Sequence, residues 1–449
     1  MRNLLRVVGA LVSALTAFHL PAPAGAQERK SPPPDESALG ELVVHADAEE
    51  HVTPLAILPS LSPDLEDVTV RAVVRRDFEL TGMFKVIPDS KAPPGLYGFD
   101  DPVDVQAWRS IGAEVIIKVA AKRVKGDQVK VFGLAYFVAH GKDPVYRKTL
   151  VVGKDDVRVT AHRITDALLG AITGRDGGFA SHMTFSGNWS SSHVVFTMDA
   201  DGHNLKRVSD SKDFSIAPTW GPDATLYYSV SHQYQPFELV KVGDPKFNLP
   251  FKTSAYSADF SHDGKRLAVA VADSGKSAIW VGNADGTGMK KVSTSELATH
   301  PVFSPSGKLA WMGGNRKDRM LRIYVDGKAV SPAGFTASSP AFCNTEDGVF
   351  LIYSVSVGND NQDLILSPER GGSLSRLTQH QGSNTYPACS PDGRMLAFFS
   401  TRKNAPGLYV MSLKRWTAQR ISGRVGQSLR WAALPPPTQS MESETKKTQ

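Results

Sequence analysis

The sequence reads as an N-terminal α/β domain followed by an all-β six-bladed β-propeller closed by a C-terminal strand. Three observations carry that reading. A motif ending in a tight turn recurs with a period near 40 residues, and such a period with several strands per unit is the mark of propeller blades. The runs after each copy have the character of strands, with no helical pattern. Residues 41–174 have another texture, in which helical and strand periodicities alternate.

The chain begins with an export pattern. Arg2 and Arg6 flank the first apolar residues, and Val7–Leu20 is too short to span a bilayer as a helix. Ala24-Gly25-Ala26 offers a small-x-small cleavage site, so residues 1–26 are expected to be a signal peptide and Gln27 the mature start. The expected location is the periplasm. Without Arg2 and Arg6 the net charge falls from +6 to +4, too low and too scattered for nucleic acid. No later apolar segment suits membrane insertion. Residues 27–40, with Pro32-Pro33-Pro34, are expected to be disordered.

Leu42-Val43-Val44 and Ala56-Ile57-Leu58 read as short strands. Asp64–Phe78 is a helical pattern with Leu65, Val68, Ala72 and Val73 on one face. Phe84–Ile87 is a strand and Val103–Ile111 a short helix. Glu114–Arg123, Gln128–Ala139 and Arg147–Val152 are strands joined by tight turns. Asp155–Thr173 is a helix, with Asp155 or Asp156 near its cap and Gly174 after its end. No Gly-rich phosphate loop follows any strand.

The propeller, residues 175–434, is read from its turns. Pro218-Thr219-Trp220-Gly221-Pro222-Asp223, Ala258-Asp259-Phe260-Ser261-His262-Asp263-Gly264, Pro301-Val302-Phe303-Ser304-Pro305-Ser306-Gly307, Pro340-Ala341-Phe342-Cys343 and Pro387-Ala388-Cys389-Ser390-Pro391-Asp392-Gly393 are spaced by 40, 43, 39 and 47 residues. Pro sets φ at the first corner and Gly supplies positive φ at the last. The aromatic before the turn packs between blades. Residues 182–208 carry the later strands of a blade without its first strand. Leu429-Arg430-Trp431-Ala432 is a first strand with nothing after it, so the chain end completes the first blade. That makes six blades of four strands each. Residues 435–449 are expected to be a disordered tail.

Cys343 and Cys389 are the only cysteines. Export permits a disulfide. They occupy adjacent rather than equivalent repeat positions, so their side chains should face opposite sides of their strands. Two small buried apolar residues are the favoured expectation.

Longer stretches now carry a resemblance. "WRSIGAEVIIKVAAKRVKGDQVKVFGLAYFV", "RRDFELTGMFKVIP", "GELVVHADAEEHVTPLAILP" and "AHRITDALLGAITGRDGGFASHMTFSG" resemble the TolB family of the Tol–Pal envelope system, over nearly the whole mature chain. Departures are the missing Gly after Pro222-Asp223, His262 in place of Pro, and two extra residues in the fourth turn. The resemblance implies a non-catalytic scaffold supporting envelope integrity, outer-membrane constriction at division and protein import. It implies binding of the lipoprotein Pal at one propeller mouth and of TolA by the N-terminal segment. It also implies contact with outer-membrane lipoproteins or porins. Carried over by position, Ser254, Ser257, Thr299, His300, Thr385 and Tyr386 are candidate Pal contacts. Glu41, Leu42, Val43, Val44 and His45 are the candidate TolA segment, an extended run suited to β-augmentation.

Signals for chemistry are weak. His45 and His51 around Glu49-Glu50 do not match a zinc spacing. Asp199-Ala200-Asp201-Gly202 starts like a calcium loop, but a hairpin turn explains it. No cofactor and no metal ligand set are expected. A peptidase would need a Gly-x-Ser-x-Gly elbow on a hydrolase domain, which the sequence lacks, leaving only a peptidase-related propeller without a catalytic domain. The other alternative is a propeller that binds a small ligand such as a glycan, which would show as a channel lined by aromatic residues.

Overall fold

The computed structural model describes residues 36–39, 52–60 and 64–436, apart from 96, 244–246, 274, 316, 318–319, 359–360 and 370–371. The expected signal peptide, the strand at Leu42–Val44, the His45–His51 region and nearly all of the tail lie outside these residues.

The front of the chain forms one mixed sheet from β1 (Thr53–Ile57), β2 (Phe84–Val86), β3 (Val115–Arg123), β4 (Gln128–Phe137) and β5 (Tyr146–Gly153), in the order β2-β1-β3-β4-β5. β1 runs parallel to both neighbours, and β3 to β5 form an antiparallel meander. Three helices cover it: α1 (Leu65–Thr81), α2 (Val105–Ser110) and α3 (Val157–Thr173). Alternation along the strands divides the core. Leu55, Ile117 and Val131 share a cluster with Val74 and Phe78 of α1 and Ile164 and Leu168 of α3. Ala56, Ile116 and Tyr136 join Val105 and Trp108 of α2 in a second cluster.

The expected face of α1 is wrong. Leu65 is 72% exposed and Val68 48%, and Ala72 is exposed as well. The buried face is Val70, Val73, Val74, Asp77 and Phe78. Counting apolar residues missed it because a carboxylate, Asp77, sits in the middle of the stripe, held by a partner on α3. The end of α3 is as expected, with Asp156 at the N-cap position and Gly174 left-handed after it at φ 80°.

Six antiparallel sheets follow. Blade one consists of Gln427–Ala433, Ser181–Trp189, Ser192–Asp199 and Lys206–Arg207, so the last strand of the chain pairs with the first of the propeller and closes the ring. Blade two (Phe214–Trp220, Leu226–Ser231, Glu238–Lys241) has three described strands where four were expected. The innermost strands of blades three to six are Ala255–Phe260, Leu297–Phe303, Ala337–Thr345 and Asn384–Cys389, each in a four-stranded sheet.

The turns explain their own composition. In blade six, Ser390 Oγ donates to Asp392 Oδ1 at 2.5 Å and accepts from the Met395 N–H at 2.9 Å. Ser261 and Asp263 repeat the pattern in blade three. Gly393 is left-handed at φ 72°, and a Cβ there would fall 1.9 Å from the Asn344 carbonyl oxygen of blade five. Glycine at this turn therefore serves inter-blade packing as well as backbone geometry.

Two further expectations fail. Cys343 and Cys389 are disulfide-bonded, with Cα atoms 5.3 Å apart. Blades pack face to face, so a side chain on the leading face of one blade meets the trailing face of the next. Opposite faces on neighbouring blades are thus the condition for a bridge, not an obstacle to one. The expected disorder of residues 27–40 also stops short. Glu36–Leu39 forms a 3-10 turn whose Leu39 is fully buried with Met312 and Ile323 of blade four and Tyr353 and Ile365 of blade five. Glu36 Oε2 accepts from Arg376 Nη1 at 2.9 Å.

The α/β part and the propeller share one core. Phe179, Met183 and Phe185 at the start of blade one and Met395 and Phe399 of blade six belong to the same cluster as Val74 and Leu168. Polar anchors surround it. Arg158 of α3 holds Asp199 and Asp201 of blade one. Arg394 of blade six donates to the Arg175 carbonyl at 2.7 Å and to Thr173 Oγ1 at 2.9 Å.

Candidate partner-binding mouth of the propeller

Each innermost strand enters at one face of the ring and ends at its aromatic–Ser–Pro turn on the other. The anchors to the α/β part gather at the second face, around Asp199, Asp201, Asp392 and Arg394. Thr299, His300, Thr385 and Tyr386 lie at the first.

At that first mouth the strands share one irregularity. Ala217, His300, Ser339, Tyr386 and Ser428 have φ between 47° and 54°, at the same place in five of the six blades. Register shifts mark each as a β-bulge. Four of the five precede proline, which pushes its neighbour toward extended backbone. Left-handed backbone at such residues costs on the order of 1–3 kcal/mol each. A ring of five strained positions around one channel mouth marks where this fold spends stability.

The bulges aim side chains at one another. Thr299 Oγ1 and His300 Nδ1 are 2.5 Å apart, and the His300 N–H donates to Ser257 Oγ at 3.2 Å. The His300 and Tyr386 rings, two blades apart, have centroids 6.3 Å apart. Burial lowers His300 to about 4, helped by the charge of Arg430, so the imidazole is neutral at pH 7. Burial alone pushes the Tyr386 phenol up to about 12. The mouth therefore presents uncharged hydrogen-bonding groups and an aromatic ring.

The structure brings Ser257, Thr299, His300 and Tyr386 together, with Thr385 beside them in the strand. Ser257 and Thr299 are buried at 4% and 3% exposure, so they support the mouth from beneath. Thr385 is partly exposed. Ser254 does something else. Its Oγ accepts from the Phe237 N–H at 3.1 Å and ties blade three to blade two. Glu41, Leu42, Val43, Val44 and His45 lie outside the described residues. Sequence reasoning missed Ala217, Ser339 and Ser428. The proline after the first two is the signal that could have found them, and Ser428 has none.

At the opposite face the channel widens into a cavity of about 280 Å³. Trp220, Phe260, Phe303, Phe342 and Trp431 line it, together with Asp259 and Arg430. Phe260 and Phe303 also pack between blades, as expected from their place before the turns. Elsewhere, Asp77, His162 and Asp201 form a buried cluster of metal-ligand types at the joint of the two parts. Arg158 and the His162 ring already face its carboxylates.

Comparison with known proteins agrees with this architecture. Residues 43–142 match the TolB amino-terminal domain and residues 169–325 the TolB beta propeller domain, in that order and together over more than half of the chain. The chain belongs to the TolB family. A Tol-Pal system protein TolB of Syntrophotalea carbinolica is 30% identical over 171 residues, 37% of this chain and 38% of that protein. One from Anaeromyxobacter dehalogenans is 29% identical over 227 residues, 49% of this chain and 52% of that protein. The chain thus spans 38% to 52% of the length of these curated TolB relatives. The crystal structure of TolB from Acinetobacter baumannii superposes with a TM-score of 0.72 at 19% identity, covering 86% of this chain and 98% of that one. That likeness establishes a shared TolB fold.

Proposed function

We propose that this chain is a non-catalytic periplasmic scaffold of the Tol–Pal system. The first mouth of the propeller receives the lipoprotein Pal, and the segment Glu41–His45 is the contact for TolA. The observation that carries this reading is the ring of strained bulges, which turns His300 and Tyr386 toward a mouth away from the α/β anchors. Strained backbone gathers at binding sites because the fold must hold side chains there against local preference. The relatives' name, Tol-Pal system protein TolB, supplies the partner class.

In this scheme the chain links the outer membrane to TolA and so supports envelope integrity and constriction at division. The α/β part relays the state of the mouth to the N-terminal segment, and such coupling must be reciprocal. The relay has a physical route, because the two parts share one core through blades one and six. The test is site-specific photo-crosslinking in the cell. A photo-reactive residue at Thr385 should capture Pal, whereas one at Leu65, 72% exposed on α1 of the α/β part, should not. Absence of Pal from the Thr385 products removes the assignment.

A further inference from the structure

Arg430 lies on the closing strand of blade one, and its guanidinium is largely unused. Nη1 donates to the Leu429 carbonyl at 3.3 Å, and Nε is buried without a hydrogen-bond partner. The Asp259 carboxylate stands 4.0 Å away, beyond hydrogen-bond reach. Both Asp259 oxygens are already engaged, one by Thr219 Oγ1 at 3.2 Å and the other by the Phe303 N–H at 2.7 Å. The Arg430 side chain keeps 18% exposure, but its Nε is a charged donor withdrawn from water without an acceptor, which is costly to hold. Trp220, whose Nε1 is a second buried donor without a partner, is another residue of the cavity lining. The rest of the lining includes Phe260, Phe303, Phe342 and Trp431 beside the turn prolines Pro222, Pro305 and Pro391. Apolar and aromatic walls around a few convergent, unpaired polar groups are the usual construction of a small-molecule site.

We infer that this cavity binds a small organic carboxylate, with Arg430 and Trp220 Nε1 on its oxygens and the aromatic rings around its body. The fork of an arginine matches a carboxylate through two parallel N–H bonds, and a charged acceptor gives stronger bonds than a neutral one. Asp259 positions the guanidinium without saturating it. At about 280 Å³ the cavity suits a ligand with one ring, such as an aromatic acid or a sugar acid. The Arg430 charge is also felt at His300, so neutralising it with a bound carboxylate should raise the His300 pKa from about 4. The cavity opens toward the face opposite the mouth, with a lining that reaches Pro387 and Leu429 beside the Tyr386 and Ser428 bulges, and it does not depend on the identity of the macromolecular partner.

The probes are benzoate and glucuronate, with benzamide and glucose as uncharged counterparts. They are titrated into the full mature chain and followed by tryptophan fluorescence, because Trp220 and Trp431 line the cavity. At least one carboxylate should bind saturably below about 10 mM and at least tenfold more tightly than its neutral counterpart. Arg430→Met should weaken binding at least tenfold, and Arg430→Lys should restore only part of it because the fork is lost. Trp220→Phe keeps the ring, removes the N–H and should weaken binding severalfold. It decides the matter if thermal melting shows that the Arg430 variants do not fold. No saturable binding of either carboxylate, or equal binding of the neutral compounds, overturns the inference. So does unchanged binding by folded Arg430→Met, or by Trp220→Phe where the Arg430 variants do not fold.

Discussion

Arg158 of α3 crosses from the α/β part into blade one and donates through Nε to Asp199 Oδ2 at 3.0 Å, while its Nη2 meets Asp201. One side chain thus compensates two buried carboxylates, with Asp201 only 2% exposed. Replacing Arg158 with Met removes the guanidinium from both, leaving Asp199 to His182 and Asn204 and Asp201 to His203. Breaking a buried pair from one side costs about 3–5 kcal/mol, and these remaining partners put the loss at about 3 kcal/mol. The expected result is that loss in urea unfolding, with Asp199→Asn/Asp201→Asn restoring part of it in the Arg158→Met background. An Arg158→Met chain as stable as the parent would contradict the account of the joint.

His162 makes stability pH-dependent at the same joint. Its Nδ1 is 2.8 Å from Asp77 Oδ2 in a buried pair. Burial opposes the imidazolium, but Asp77, then Asp201 and Asp199, outweigh it and push His162 from 6.5 up to about 9. The folded state therefore holds the proton more tightly than the unfolded chain. The stabilisation is complete below about 6.5 and is lost as the pH rises through about 9. Unfolding free energy should fall between pH 7 and 9 at up to about 1.4 kcal/mol per pH unit. His162→Gln should flatten that slope, and an unchanged slope would assign it elsewhere.

The bridge between Cys343 and Cys389 closes a separation of 46 residues between neighbouring blades. Loop-closure entropy puts its contribution at roughly 4 kcal/mol. Cys343→Ala/Cys389→Ala should lower the melting temperature by several degrees while leaving the circular dichroism of the folded chain unchanged. A melting temperature insensitive to reductant would mean that the ring needs no bridge.

Leu39 anchors the segment before β1 to the slot between blades four and five. Leu39→Asp should free Glu36–Leu39 for limited proteolysis, with the propeller's own unfolding nearly unchanged. Protection equal to the parent's would show that Glu36 and Arg376 suffice to hold it.

Much of this fold was readable where one residue type has one job. The Ser-Pro-Asp-Gly turns announced the blades because Ser and Asp close the turn through specific hydrogen bonds and Gly393 alone fits beneath Asn344. The orphan strand at Leu429–Ala432 announced ring closure. The failures share a cause: they concern groups whose partners lie far along the chain. Asp77 hides the buried face of α1 because its partner, His162, is on another helix. Leu39 looked like part of a disordered run because its slot is built by blades four and five. The mouth residues were placed by family resemblance, while the left-handed bulges that aim them leave only an occasional proline in the sequence.

The central claim is that the mouth around His300 and Tyr386 binds Pal. Thr299 is 3% exposed, so an arginine there would disturb the strand itself; Thr385, partly exposed beside Tyr386, is the better place to block the mouth. The decisive measurement is calorimetric titration of the chain from Gln27 onward with the soluble domain of Pal from the same organism, repeated with Thr385→Arg. The account predicts one-to-one binding that Thr385→Arg weakens at least tenfold without lowering the melting temperature. No binding by a folded parent chain, or equal binding by a folded Thr385→Arg chain, would contradict it.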